Sequence, residues 1–265
     1  MTPAKPSFLK RKRIMAITTL IAGSAVLAAT AFAFVFWPSD APPGKPKAVI
    51  IDQLAITDPN PDFVNAAGVR LQDAGYAVDY YRSDEVTVDF YRDLPKQGYK
   101  LIVIRSHASQ KVFERDPATG RAIEKDGVAL FTNERYSSFT HTGDQRDYRL
   151  GVGSYPQLGI TDKYFLIGPA FVQSSMRGKF HDATIVLMGC GGLSTKGMAQ
   201  AFQQRGVTQF ISWDTLVSAA HTDAATQALL SHLVTENLPA AEAVARTMAE
   251  VGPDPSYGSR LLTFP

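Results

Sequence analysis

The chain has 265 residues, of which 45% are hydrophobic and 20% charged, a composition that suits one globular domain with an additional segment. Five of its 27 basic residues precede Ile14, and the remaining 22 face 25 acidic residues, a net charge of −3 beyond that point. This balance excludes a basic surface for nucleic acid, and the single cysteine excludes an intramolecular disulfide.

The N-terminal segment has the pattern of a membrane anchor. Residues 1–13 are basic and contain no acid, and residues 14–37 form an uncharged run of 24 residues. About 20 residues are enough to cross a bilayer, and Trp37 lies where an interfacial aromatic residue is expected. We predict a single-pass signal anchor with a cytoplasmic N-terminus and an extracytoplasmic main domain. A cleaved signal peptide is the alternative, because residues 31–33 read Ala-Phe-Ala, a plausible cleavage motif.

Residues 38–47 are rich in proline and are predicted to form a tether. Apolar runs and amphipathic stretches then alternate. The predicted strands are 48–54, 77–81 and 99–107, and the predicted helices are 61–75 and 87–98. Such alternation implies parallel strands with helices over both faces of the sheet.

The alternation of strand and helix patterns stops at residues 108–182, where Gly, Asp, Ser and Thr are scattered among short apolar segments. We predict that this region is an inserted hairpin region with long loops. The alternation then resumes, and the tail 252–265 is predicted to be irregular. The predicted elements after the insertion are strands 184–190 and 208–214 and helices 196–205, 219–236 and 239–251. The chain from 48 to 265 is therefore predicted to be an α/β domain with a mostly parallel central sheet.

Two of the predicted strands end on residues that can act as an acid/base or as a nucleophile. His107 follows the apolar run 101–104, and Cys190 ends the run 184–190. Because ligands collect beyond the carboxyl ends of parallel strands, the imidazole and the thiol would share one crevice if the strands are neighbours. A cysteine nucleophile needs such an imidazole to protonate the leaving amine. Gly189 and Gly191 would let backbone amides bind the developing oxyanion.

An apolar strand ending in His, an insertion, and an apolar strand ending in Cys among small residues resemble the caspase-like cysteine peptidases. The segment from "GCGGLSTKGMAQAFQQRGVTQFISWD" to "AAHTD" is similar to their CHAT-type domains. The resemblance implies a three-layer caspase-like fold, a His107–Cys190 dyad, and a contribution of the Ala108 amide to the oxyanion hole. It also implies a substrate pocket, whose residues would be Ser106, Trp213, Asp214 and Asp223.

Several alternatives remain at this point. Asp214 and Asp223 would either select a basic substrate side chain or cap helices. The domain as a whole would either hydrolyse a peptide or protein substrate or be a catalytically degenerate ectodomain that binds a partner. A third alternative, a nucleotide-binding α/β domain, is supported only weakly, by a glycine-rich sequence. No metal and no cofactor are expected, because the histidines have no partner at ligand spacing.

Overall fold

The computed structural model describes residues 44–265. The predicted basic segment 1–13 and the predicted anchor 14–37 lie outside the described residues, as does most of the tether 38–47. Within the described range, no helix is both long and apolar enough to cross a membrane.

The main sheet has six strands, five of them parallel. In spatial order they are β10 (Leu261–Phe264), β9 (Val207–Trp213), β8 (Ala183–Leu187), β3 (Tyr99–Arg105), β1 (Lys47–Asp52) and β2 (Ala77–Arg82). The parallel pairs are β2–β1, β1–β3, β3–β8 and β8–β9. The predicted mostly parallel α/β architecture is confirmed.

The sixth strand corrects the prediction for the tail. β10 pairs antiparallel with β9, from Leu261 opposite Trp213 to Phe264 opposite Phe210. Residues 252–265 were predicted to be irregular because their Gly, Pro and Ser residues are turn formers. The four-residue run at the end is too short to give a periodic signal of its own, and it becomes a strand because it completes the edge of an existing sheet.

Helices lie against both faces of the main sheet. The α-helices of the described residues are, in chain order, α1 (Pro61–Asp73), α2 (Val88–Asp93), α3 (Thr142–Arg146), α4 (Pro169–Ser174), α5 (Gly197–Gln204), α6 (Ala219–Leu230) and α7 (Ala240–Val251), and all of them except α3 pack on the main sheet. The predicted helix 87–98 is divided, because a 3-10 turn with Pro95 in its first turn follows α2. A π-helical turn, Ser231–Thr235, extends α6 toward the predicted end at residue 236.

Alternation along the strands of the main sheet forms two cores, one on each face of that sheet. Ala48 and Ile50 of β1 face the core formed with α1, α6 and α7, and Val49 and Ile51 face the opposite core with α2, α4 and α5. Strands with apolar residues on both faces are typical of a parallel sheet that is covered on both sides.

Residues 108–182 form a second sheet that packs on the α2 side. It is antiparallel, in the order β4 (Ala108–Arg115), β5 (Ala122–Arg135), β7 (Ile160–Ile167) and β6 (Leu150–Tyr155). Hairpins were predicted here, but the segment has less loop than the sequence indicated. The polar half of the 14-residue β5 faces solvent, and its charged residues conceal the strand pattern.

Candidate active site

The two segments that carry His107 and Cys190 follow neighbouring strands. In the β3–β8 pair, Ile104 lies opposite Leu187, and the Met188 amide donates a hydrogen bond to the Ile104 carbonyl (2.8 Å). His107 and Cys190 therefore both lie just beyond the carboxyl end of the sheet, at adjacent strand positions.

Gly189 brings the two segments into direct contact. A Cβ atom at this position would lie 2.6 Å from the Ser106 carbonyl oxygen and 3.5 Å from the Ala108 Cβ. These two residues flank His107, so the turn before Cys190 passes against the histidine segment. No residue larger than glycine fits without moving one backbone away from the other.

The His107 side chain is held on one nitrogen. Its Nε2 lies 2.9 Å from the Thr57 hydroxyl, its backbone amide donates to Gln53 Oε1 (2.9 Å), and its ring stacks obliquely on Tyr155 with centroids 4.7 Å apart. Within residues 44–265, Nδ1 has no hydrogen-bond partner. One ring nitrogen is thus engaged, and the other is available for chemistry.

Burial lowers the pKa of His107 below its ordinary value of 6.5. The Asp58 carboxylate opposes this shift, and the Arg105 guanidinium adds to it. The imidazole is therefore neutral at physiological pH, the state in which it accepts a proton.

We expect the imidazole C–H resonances of His107, followed by NMR, to titrate below pH 6.5. Asp58→Asn should lower this pKa further, because it removes the opposing negative charge. Since the unfolded chain binds more protons between the folded pKa and about 6.5, the free energy of unfolding should rise with pH across that window. Asp62→Asn, which removes an exposed carboxylate in the first turn of α1, is the control. A titration at or above 6.5 would contradict the assignment.

Cys190 is a free, half-buried cysteine. Its thiol points toward the Val217 carbonyl, with a sulfur-to-oxygen distance of 3.6 Å. Among the described residues the thiol does not hydrogen-bond the imidazole, and each side chain is instead held by another group. Catalytic hydrogen bonds are often long or absent in ligand-free enzymes and form when substrate binds.

The backbone after the thiol is fixed on both sides of one peptide bond. Gln110 Nε2 donates to the Cys190 carbonyl (2.8 Å), and the Gly191 amide donates to the Thr215 carbonyl (2.7 Å). Gly191 adopts φ +58°, a left-handed conformation that favours glycine.

This arrangement changes the predicted oxyanion hole. The Gly191 amide is occupied by Thr215, so it is not a free donor in this structure. The amides of Gly189 and Cys190 donate to no other group in the described part of the chain; Gly189 is buried, whereas Cys190 is partly exposed. Ala108, whose amide was also predicted to contribute to the oxyanion hole, is the first residue of β4 and lies opposite Leu130.

Three of the predicted pocket residues already have partners. Ser106 is buried and donates to the His107 carbonyl (2.8 Å). Trp213 is 1% exposed, and its indole Nε1 donates to the Thr222 hydroxyl (2.8 Å). Asp214 Oδ1 accepts the backbone amide of Arg260 (2.9 Å). These contacts give the three side chains structural roles and leave no face of the indole open to a substrate.

The fourth predicted pocket residue, Asp223, belongs to a buried ion cluster. Arg105 is fully buried, and its Nε and second guanidinium nitrogen donate to the two Asp223 carboxylate oxygens (2.8 and 2.9 Å). Its remaining nitrogen lies 3.1 Å from Asp52 Oδ1, and Asn60 donates to Asp223 (2.8 Å). Asp223 also lies inside α6, after its first turn, so it is neither a free acid nor a helix cap.

Two groups of the cluster, Asp52 and Arg105, have shifted pKa values. Burial raises the pKa of Asp52, against the opposing attraction of Arg105. Burial acts to lower the pKa of Arg105, but the Asp223 and Asp52 carboxylates outweigh it and the pKa is raised. The guanidinium is therefore charged, and a charged buried group requires partners.

Sequence reasoning missed Arg105, Thr57, Gln53 and Gln110. A signal existed for Arg105, because an arginine in an otherwise apolar strand is seldom buried without a carboxylate. The other three have no local signal, since their partners are far away in sequence.

Cofactor and metal sites were not expected from the sequence. In residues 44–265, no group of three or more His, Cys, Asp or Glu side chains is arranged to hold a metal ion. No protein-family model matches the chain, and no curated protein matches it in sequence.

Proposed function

We propose that this protein is a caspase-like cysteine peptidase, with the three-layer fold of that group and closest to its CHAT-type domains. Cys190 is the nucleophile and His107 the general acid/base. The observation that carries the proposal is the pairing of β3 with β8, which puts a free thiol and an imidazole with an unoccupied nitrogen at one edge of a parallel sheet. Such edges are the usual position of active sites in open α/β sheets.

The reaction follows from the states of these groups. Neutral His107 takes the thiol proton, and the Cys190 thiolate attacks the carbonyl carbon of the scissile peptide bond. The Gly189 and Cys190 amides bind the oxyanion of the tetrahedral intermediate. The imidazolium then protonates the leaving amine, and the intermediate collapses to a thioester. Finally, His107 activates water, which hydrolyses the thioester and regenerates the thiol.

The proposed location follows from the sequence alone. Residues 14–37 would anchor the chain in a membrane, with residues 1–13 in the cytoplasm and the peptidase domain outside it. The substrates would then be extracytoplasmic peptides or proteins.

The test is cleavage of a peptide library by the full chain, comparing wild type with Cys190→Ala. A peptide that carries a thiol-reactive electrophile is used in parallel, and the adduct is mapped by mass spectrometry. Cleavage products that are absent in the variant, together with an adduct on Cys190, are expected. Identical product profiles from the two proteins would refute a cysteine peptidase.

The second candidate is a catalytically degenerate domain of the same fold that binds a peptide or protein partner. It is favoured by one observation, that Thr57 and Val217 rather than each other hold the imidazole and the thiol. Under this alternative, wild type and Cys190→Ala would bind the same peptides with equal affinity, and neither would cleave them.

A further inference from the structure

One side chain of the second sheet reaches the turn that carries the thiol. Gln110 lies in β4, and its amide nitrogen donates to the Cys190 carbonyl (2.8 Å). Its amide oxygen accepts the Ser194 hydroxyl (2.7 Å). The glutamine thus spans the turn from the nucleophile to a residue four positions later.

The Cys190 carbonyl sets the orientation of the Gln110 amide. Because a carbonyl can only accept, it takes Nε2, and the Ser194 hydroxyl, which can donate or accept, then donates to Oε1. The carboxamide therefore has each of its two ends matched to a partner, and a rotated amide would place Oε1 against the Cys190 carbonyl oxygen and lose that hydrogen bond.

The backbone on both sides is shaped for this contact. The pairing of β4 with β5 shifts register between Ser109 and Lys111, at Gln110 itself. Such irregularities re-aim side chains and are frequent next to active sites. On the other side, a Cβ on Gly191 would lie 2.5 Å from Gln110 Oε1, so only glycine admits the amide at this distance.

We propose that Gln110 is a positioning residue for catalysis, an inference that rests on the proposed function. Its amide fixes the Cys190 carbonyl, while Thr215 fixes the adjoining Gly191 amide. These two hydrogen bonds restrain the peptide plane after Cys190, and this restraint would keep the sulfur in a constant position relative to the histidine segment. Through Gln110, the sheet inserted between the two dyad residues supports the nucleophile.

We expect Gln110→Ala to lower kcat about 10- to 100-fold with KM nearly unchanged, because a small displacement of reacting groups is costly in rate but not in substrate affinity. Gln110→Glu should also move the pH profile of Cys190 alkylation to higher pH, since a nearby carboxylate disfavours the thiolate. Gln203→Ala is the control, because the side-chain amide of that exposed glutamine also donates to a main-chain oxygen, that of Pro265 (2.8 Å).

The measurements are kcat and KM on a cleaved peptide, the alkylation profile, and the midpoint of thermal unfolding, all on the full chain. Should Gln110→Ala unfold at the assay temperature, Ser194→Ala and Ser194→Thr decide instead. A loss in the alanine variant that the threonine hydroxyl restores supports the role, and wild-type rates in both overturn it.

The two proposals fail in different ways. A wild-type protein that cleaves no peptide and forms no Cys190 adduct contradicts the proposed function. Cleavage by wild type with unchanged kcat in Gln110→Ala, or an unshifted alkylation profile in Gln110→Glu, contradicts only the role of Gln110.

Discussion

Cys190→Ala is expected to abolish peptide hydrolysis, and His107→Ala to lower kcat by about 10²- to 10⁴-fold, the usual contribution of a positioned acid/base. The cysteine variant loses the covalent route altogether, whereas the histidine variant keeps a thiol with no group to accept its proton or to protonate the leaving amine. Rates are measured on the best library substrate under saturating conditions.

The double variant makes this test sharper. If the two residues act as one unit, His107→Ala combined with Cys190→Ala should be no slower than Cys190→Ala alone. His181→Ala is the control, because His181 lies just before β8, at the opposite end of the strand from Cys190. Wild-type turnover by His107→Ala would show that another group serves as the acid/base and would remove His107 from the mechanism.

The position of both dyad segments at one edge of the sheet was predictable from the sequence for a local reason, whereas the adjacency of β3 and β8 was not. Each of the two runs, 101–104 and 185–188, is continuously apolar, which is the pattern of a strand covered on both faces, and parallel strands have their carboxyl ends at one edge. The predicted sheet depended only on such local patterns, and it is confirmed.

The partners of the predicted pocket residues were not predictable in the same way. Asp223 has the sequence context of a free or capping acid, but its partner Arg105 lies 118 positions away. Gln110 and Cys190 are separated by 80 positions, and Thr57 and His107 by 50. Hydrogen bonds of this range depend on how strands, helices and connecting segments pack together, and they leave no periodic trace in the chain.

The alternation of polar and apolar residues in 108–182 illustrates a second limit. β5 has buried residues only in the half that packs on the α2 side, and its first residues are exposed. The part of a strand that extends beyond the protein core therefore has the composition of a loop. In β5 this part still pairs with β4.

Asp223→Asn is expected to lower the free energy of unfolding by about 3–5 kcal/mol, the cost of removing one partner from a buried ion pair. Arg105 is fully buried, so an uncharged amide at 223 would leave the guanidinium with Asp52 as its only carboxylate. The change in the free energy of unfolding is measured by urea denaturation, from the shift of the transition midpoint at an unchanged m-value.

Asp214→Asn is the matched control, because Asp214 accepts one backbone hydrogen bond, from Arg260, at a more exposed position. It should cost less than about 1 kcal/mol, the net value of a single hydrogen bond, because the asparagine side-chain oxygen can still accept the Arg260 amide. If Asp223→Asn changes stability no more than this control, the ion cluster contributes no net stability.

The same substitution should also reduce catalysis beyond what unfolding explains. Arg105 is the last residue of β3 and precedes His107 by two positions, so its displacement moves the imidazole. In α6, the residue before Asp223 is Thr222, which donates to the Met188 carbonyl (3.1 Å) just ahead of the cysteine turn. The start of α6 thus holds the histidine strand through a charge pair and the cysteine strand through a hydroxyl. We therefore expect Asp223→Asn to have a lower kcat than wild type at a temperature at which the variant is fully folded. Asp214→Asn should keep the wild-type kcat.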